Sequence, residues 1–173
     1  MFRKRLFKIA LLGISLFALL VLAGLTACRP RETELPFETI ERNDTYSPEE
    51  GYGGLEPRVV LVTTRQEIGR LEGLISQEAL DQLAALDFGQ YFAIAVLRGR
   101  QGSSGYDTII ERVARQGDKV VVYAQFREPG PHYVVLDIAT SPYHLIKVRR
   151  DNSVSQETEL LFQSWVVTPT PPF

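Results

Sequence analysis

The sequence predicts an α+β fold, an antiparallel β-sheet or sandwich with two helices inserted after its first strands. Three observations carry that reading. From residue 91 onward apolar residues alternate or run continuously, as extended chain requires. Between residues 64 and 86 they recur instead at the three-and-four spacing of helices, and each run is opened by a capping residue. Glycine and proline clusters separate the runs where turns are needed.

The chain opens with a segment outside that fold. Arg3, Lys4, Arg5 and Lys8 form a basic flank, residues 9–22 an apolar run, and Leu25, Thr26 and Ala27 a small-residue approach to Cys28, the only cysteine. This is the three-part layout of a secretory signal. Its last four residues resemble the lipobox of bacterial lipoproteins, in which the thiol receives a diacylglyceryl group and the cysteine becomes the mature N-terminus. The resemblance implies a lipoprotein signal peptide over residues 1–27 and lipidation at Cys28. The alternative is an uncleaved signal anchor, because residues 9–27 approach the length that crosses a hydrocarbon core of about 30 Å. Either way the positive flank stays inside, and everything after Cys28 is extracytoplasmic, held at the inner or outer membrane. With that thiol acylated, no internal disulfide can form, so the domain must rest on an ordinary hydrophobic core.

Four of the 19 Lys and Arg and none of the 21 Asp and Glu lie in residues 1–27, leaving 15 basic against 21 acidic residues, a net charge of −6. No basic cluster is left to replace counterions along phosphates, which argues against nucleic acid as a partner. Membrane affinity is expected from the lipid on Cys28 rather than from charge.

Residues 28–36 are polar and aperiodic, a tether. The domain is expected over residues 37–167. Residues 37–42 suit an edge strand and residues 43–54 a loop; residues 59–62, Val-Val-Leu-Val, suit a strand buried on both faces. Thr64, Arg65, Gln66 and Glu67 form a capping box that starts a helix with Ile68, Leu71, Leu74 and Ile75 on one side. Ser76 caps a second helix carrying Leu80, Leu83 and Leu86. Residues 91–98 are a central strand and residues 99–105 a glycine and serine loop. Residues 106–115 and 119–127, joined by Gln116-Gly117-Asp118, form a hairpin. Residues 128–131, Glu-Pro-Gly-Pro, make a rigid turn, residues 133–139 a further strand, and Ser141-Pro142-Tyr143 a kink before a strand at 144–148. Residues 160–167, with Trp165, form an edge strand, and residues 168–173 a Pro and Thr tail.

Hydrolytic chemistry needs a nucleophile, a base and an orienting group, for which Ser103, Ser104, His132 and His144 are the candidates. Gly102-Ser103-Ser104-Gly105-Tyr106 is not a nucleophile elbow, and both histidines lie in structural or surface settings. Two distant histidines and no free cysteine make no metal motif. The glycine loop leads into a β pattern with no following lysine, unlike a phosphate cradle. The expectation is a non-enzyme with no catalytic residue, no metal, no cofactor and no evident small-molecule substrate.

Residues 88–150 resemble the C-terminal domain family named after PrcB, a lipoprotein subunit of a spirochaete surface protease complex. The resemblance rests on Phe88-Gly89-Gln90-Tyr91-Phe92 leading into a buried strand, Gly99 followed by Ser103-Ser104-Gly105-Tyr106, then Glu128-Pro129-Gly130-Pro131, and Thr140-Ser141-Pro142-Tyr143-His144 before an apolar strand. It implies a non-catalytic subunit that assists assembly or stability of an extracytoplasmic protease. Serines stand where the family often has a threonine or second glycine before Gly-Tyr. A local similarity to chagasin-like inhibitors, which present a Thr-Gly-Tyr loop and a Pro-rich loop from one end of a sandwich, implies protease inhibition as the alternative. A serine hydrolase is a remote third. For a binding role the expected surface is a rim of Ser103, Ser104, Gly105, Tyr106, Pro129, Gly130, Pro131, Pro142 and Tyr143. The competing reading has Gly105 serving backbone geometry, Tyr106 and Tyr143 packing in the core, and the prolines shaping turns.

Overall fold

Residues 91–97 carry no charge and form the strand around which the domain is built. The computed structural model describes residues 31–44, 46–150, 154 and 157–169. The leader, Cys28 and the last residues of the tail lie outside the described residues. The strands are β1 (Glu32–Glu34), β2 (Phe37–Asn43), β3 (Arg58–Val62), β4 (Tyr91–Leu97), β5 (Asp107–Gln116), β6 (Lys119–Arg127), β7 (Tyr143–Arg149) and β8 (Leu160–Val167). A 3₁₀ helix (Arg65–Leu71) and helix α1 (Gln77–Ala84) fall between β3 and β4. One sheet has the order β2-β7-β4-β3, the other β1-β5-β6-β8.

Successive side chains of a strand point to opposite faces, so the continuous apolar run of β4 must be covered twice. Phe92, Ile94 and Val96 meet Val113, Val122, Phe126 and Ile146 in a core between the two sheets. Ala93, Ala95 and Leu97 face the other way, where Leu71, Ile75, Ala79 and Leu83 of the helical segment cover them. Two alanines on the helix side let the helices approach closely. The fold is α+β, with a helical layer on a two-sheet β-sandwich.

The helical segment begins as its capping pattern requires: the Glu67 carboxylate accepts from the Thr63 N–H at 2.7 Å, the Thr63 hydroxyl at 2.9 Å and the Thr64 N–H at 3.2 Å. The first helix is a tight 3₁₀ segment rather than an α-helix, because Gly69 and Gly73 within one short stretch disfavour propagation. Gly73 turns the chain at a φ of 67°. Ser76 then caps α1, its hydroxyl accepting from the Ala79 N–H at 3.1 Å.

In the β5–β6 hairpin Gly117 has a φ of 65° and Asp118 follows with no positive φ, the combination a two-residue type II′ loop uses. Glu32–Glu34, expected in the tether, is a strand paired with β5. Glu32 is held there by Arg112 at 2.8 Å and the Tyr123 hydroxyl at 2.7 Å, partners too distant in sequence to be anticipated. β8 is an edge strand as expected but runs parallel to β6, so its sheet is mixed. Residues 133–139 do not form a strand. Among the described residues no helix is long and apolar enough to cross a membrane.

Candidate functional site: a loop rim built on Arg98

Arg98 follows the last residue of β4 and is only 5% exposed. Its guanidinium donates to the Arg127 carbonyl at 2.7 Å, the Asp107 carbonyl at 3.3 Å and the Glu128 carboxylate at 3.0 Å. It lies 4.9 Å from the Tyr106 ring centre and 5.0 Å from that of Phe126. The start of β5 and the end of β6 are thereby tied to β4 across the open end of the sandwich. Burial pushes the Arg98 pKa down from its usual value, and Glu128 opposes that shift. An arginine still remains charged, so its hydrogen bonds are charge-assisted.

Around this arginine the glycine-serine and proline loops converge. The Ser104 N–H donates to the Leu136 carbonyl at 3.0 Å, and the Leu136 N–H to the Ser104 hydroxyl at 2.8 Å. The Thr140 hydroxyl donates to the Ser103 carbonyl at 3.0 Å, and Gln101 bridges Thr140 through the backbone. Gly105 has a φ of 89°; a Cβ there would lie 3.1 Å from both Pro129 and Val135. A Cβ on Gly130 would meet the Pro169 carbonyl oxygen at 2.7 Å. Both glycines are thus demanded by close packing, and at Gly105 by backbone conformation as well.

The expected rim residues separate into frame and surface. Ser103, Ser104, Tyr106 and Pro129 are half-buried, Gly130 is buried, and Gly105 and Pro131 are exposed. Pro142 is buried, its carbonyl accepting from the Arg98 N–H at 2.9 Å, so it supports the rim from beneath. Tyr143 is a correction: it is fully buried in the helix-side core, not on the rim. Its hydroxyl donates to the Glu41 carboxylate and accepts from the Ser76 N–H at 3.1 Å. Tyr46 packs edge-on against its ring at 5.4 Å. A phenol that satisfies a helix N-terminus and a carboxylate from inside has no surface to offer.

What the rim does present is the segment expected to be a strand. Tyr133, Val134, Val135, Leu136 and Ile138 are exposed, Val134 at 98% and Leu136 at 63%. Its backbone is held by Gly130 and Ser104 instead of a sheet neighbour. Both neighbours of β7 and both neighbours of β6 are already in place, so this run meets no free central edge. The sequence reading missed Arg98 and this ridge. The available signal was an apolar run enclosed by Pro129, Pro131 and Pro142, which marks loop chain as readily as strand.

Three of the four hydrolytic candidates are engaged in internal bonds. The Ser103 hydroxyl donates to the Ser104 carbonyl at 3.2 Å, and that of Ser104 serves Leu136. His144 is buried between sheets: its Nδ1 accepts from the Ile110 N–H at 2.8 Å, which leaves Nε2 to donate to the Thr39 hydroxyl at 2.9 Å. His132 is exposed on the proline loop. Among the described residues no group of three or more His, Cys, Asp or Glu is placed to hold a metal.

Residues 92–149 match the PrcB C-terminal family. The matched stretch runs from β4 to the end of β7 and contains Arg98, both rim loops and the apolar ridge. The match falls within the resemblance over residues 88–150 and covers nearly its whole length. No curated protein and no solved structure matches the chain.

Proposed function

We propose that this chain is a non-catalytic, lipid-anchored extracytoplasmic subunit that binds a partner protease and supports its assembly or stability. In this reading residues 1–27 are the signal peptide, Cys28 carries the lipid, and the folded domain acts as the adaptor. The observation that carries it is the exposed ridge of residues 133–138, apolar except for Asp137, on a frame locked by Arg98. Contiguous exposed apolar surface on a soluble domain marks an interaction site. A stiff loop carrying Tyr, Val and Leu loses little entropy when it is covered. The match to the PrcB C-terminal family supports a protease as the partner. Ser103, Ser104 and His144 are committed to internal bonds, which supports a binding role over a catalytic one.

The test compares native membranes with and without the full chain. Loss of the chain is expected to lower the amount or lifetime of one extracytoplasmic protease that co-purifies with it, and adding the chain back should restore that protease. Stoichiometric inhibition of the co-purified protease would instead establish the inhibitor, and protease levels independent of the chain would overturn the proposal.

A further inference from the structure

The rim leaves a second exposed apolar feature unaccounted for, the open edge of β8. The Val120 N–H donates to the Glu159 carbonyl at 3.0 Å and the Glu128 N–H to the Val167 carbonyl at 2.9 Å, at the two ends of the β6–β8 ladder. In a parallel pair alternate residues of a strand turn their backbone groups to the neighbour. The odd-numbered residues of β8 therefore face β6, while Leu160, Phe162, Ser164 and Val166 turn N–H and C=O outward. Among the described residues no strand lies beyond them.

The other sheet edges are blunted in ways natural proteins use. β1 is three residues long. β2 has a register break between Thr39 and Glu41 and carries Glu38, Glu41 and Arg42. On β3 the Arg70 guanidinium covers the Leu61 carbonyl at 2.9 Å. β8 has none of these devices: Leu-Leu-Phe-Gln-Ser-Trp-Val-Val is uncharged, proline-free and in unbroken register over eight residues.

We propose that the chain pairs with a second copy of itself through β8, antiparallel about a two-fold axis at Gln163, joining two four-stranded sheets into one. Three features select a second copy as the occupant. The outward backbone groups lie on even-numbered residues, so a two-fold axis at Gln163 sets Phe162 against Ser164 and Leu160 against Val166 as hydrogen-bonded pairs. On the outer face the same axis sets Leu161 against Trp165. Trp165 and Val166, exposed at 39% and 57%, are covered by the leucines of the other copy. A neutral strand, finally, meets no like charge when it opposes itself. The proposal is independent of the rim, so either can fail alone.

Gln163 sits at a non-hydrogen-bonded position of the proposed pair, where opposed Cα atoms lie about 4.5 Å apart, within disulfide reach. The experiment is oxidation of the full-length Gln163→Cys chain in its own membrane, with the wild type as control for Cys28. A dimer-sized cross-linked band is expected with Gln163→Cys alone. Adding Ser164→Pro, which removes an outward N–H and leaves the β6 ladder intact, should lower the cross-linked fraction about tenfold. If that variant loses its circular dichroism spectrum, Val166→Lys takes its place with the same expectation. A Gln163→Cys chain that stays monomeric, one that cross-links to a protein of different mass, or a dimer indifferent to a folded edge variant would overturn the proposal.

Discussion

His144 shows how far one buried side chain can be read through its partners. With the Ile110 N–H donating to Nδ1, the ring is held neutral, and a proton on that nitrogen would displace a backbone bond. Burial first, and the charge of Arg42 second, lower its pKa from 6.5 to about 4. The unfolded chain takes up a proton between those values that the folded chain refuses. Stability is therefore fully present above pH 6.5 and falls as the pH drops toward 4, by about 3 kcal/mol across the window. Glu32 and Asp87, whose carboxyls are held below the usual range chiefly by hydrogen bonds from Tyr123 and Gln90, add their own losses at lower pH. Urea midpoints measured from pH 7 to pH 4 should fall for the wild type and flatten for His144→Gln; parallel curves would contradict the assignment. The sequence placed His144 at the head of an apolar strand and so marked it as structural. It held no trace of the Ile110 partner, because that bond spans two sheets.

At the scale of elements, legibility followed locality. β4, the β5–β6 hairpin, the Glu67 and Ser76 caps and the strand after Pro142 were readable because each depends on neighbours within a few residues. β1 was not, since Glu32 is fixed by Arg112 and Tyr123. Residues 133–139 were misread as a strand because period and composition report what a segment can form, not whether an edge is free for it. The rim loops instead depend on Arg98, which ties the ends of β4, β5 and β6. Arg98→Met keeps the apolar stem but leaves the Arg127 and Asp107 carbonyls without their donor. That should cost about 2–4 kcal/mol of stability. It should also speed amide hydrogen exchange at Ser104 and Leu136 more than in β4. Uniform acceleration across the domain would show that Arg98 supports the fold at large rather than the rim.

For the whole molecule, the architecture divides labour between its two ends and faces. The helical layer closes one face of the β4 sheet, the second sheet closes the other, and the loops are left at an end where chain geometry is set by glycine, proline and one buried guanidinium. The candidate surface was legible only in part. The sequence singled out Ser103, Gly105, Tyr106 and Pro129 for a rim, and in the structure they are mainly its half-buried frame, a Cβ on Gly105 falling 3.1 Å from Pro129. The surface they hold is Tyr133 to Ile138. This alters which substitutions are informative, because Tyr143→Ala would damage the core and Tyr106→Ala the Arg98 cradle. Val134→Asp with Leu136→Asp changes exposed side chains, where effects on folding stay within about 0.5 kcal/mol each. The decisive measurement is therefore recovery of the co-purifying protease from native membranes by the full chain, wild type against that double variant, with thermal midpoints measured alongside. Recovery is expected to fall about tenfold or more at an unchanged midpoint, the loss of roughly 1.4 kcal/mol or more of binding; equal recovery by the two chains would contradict the account.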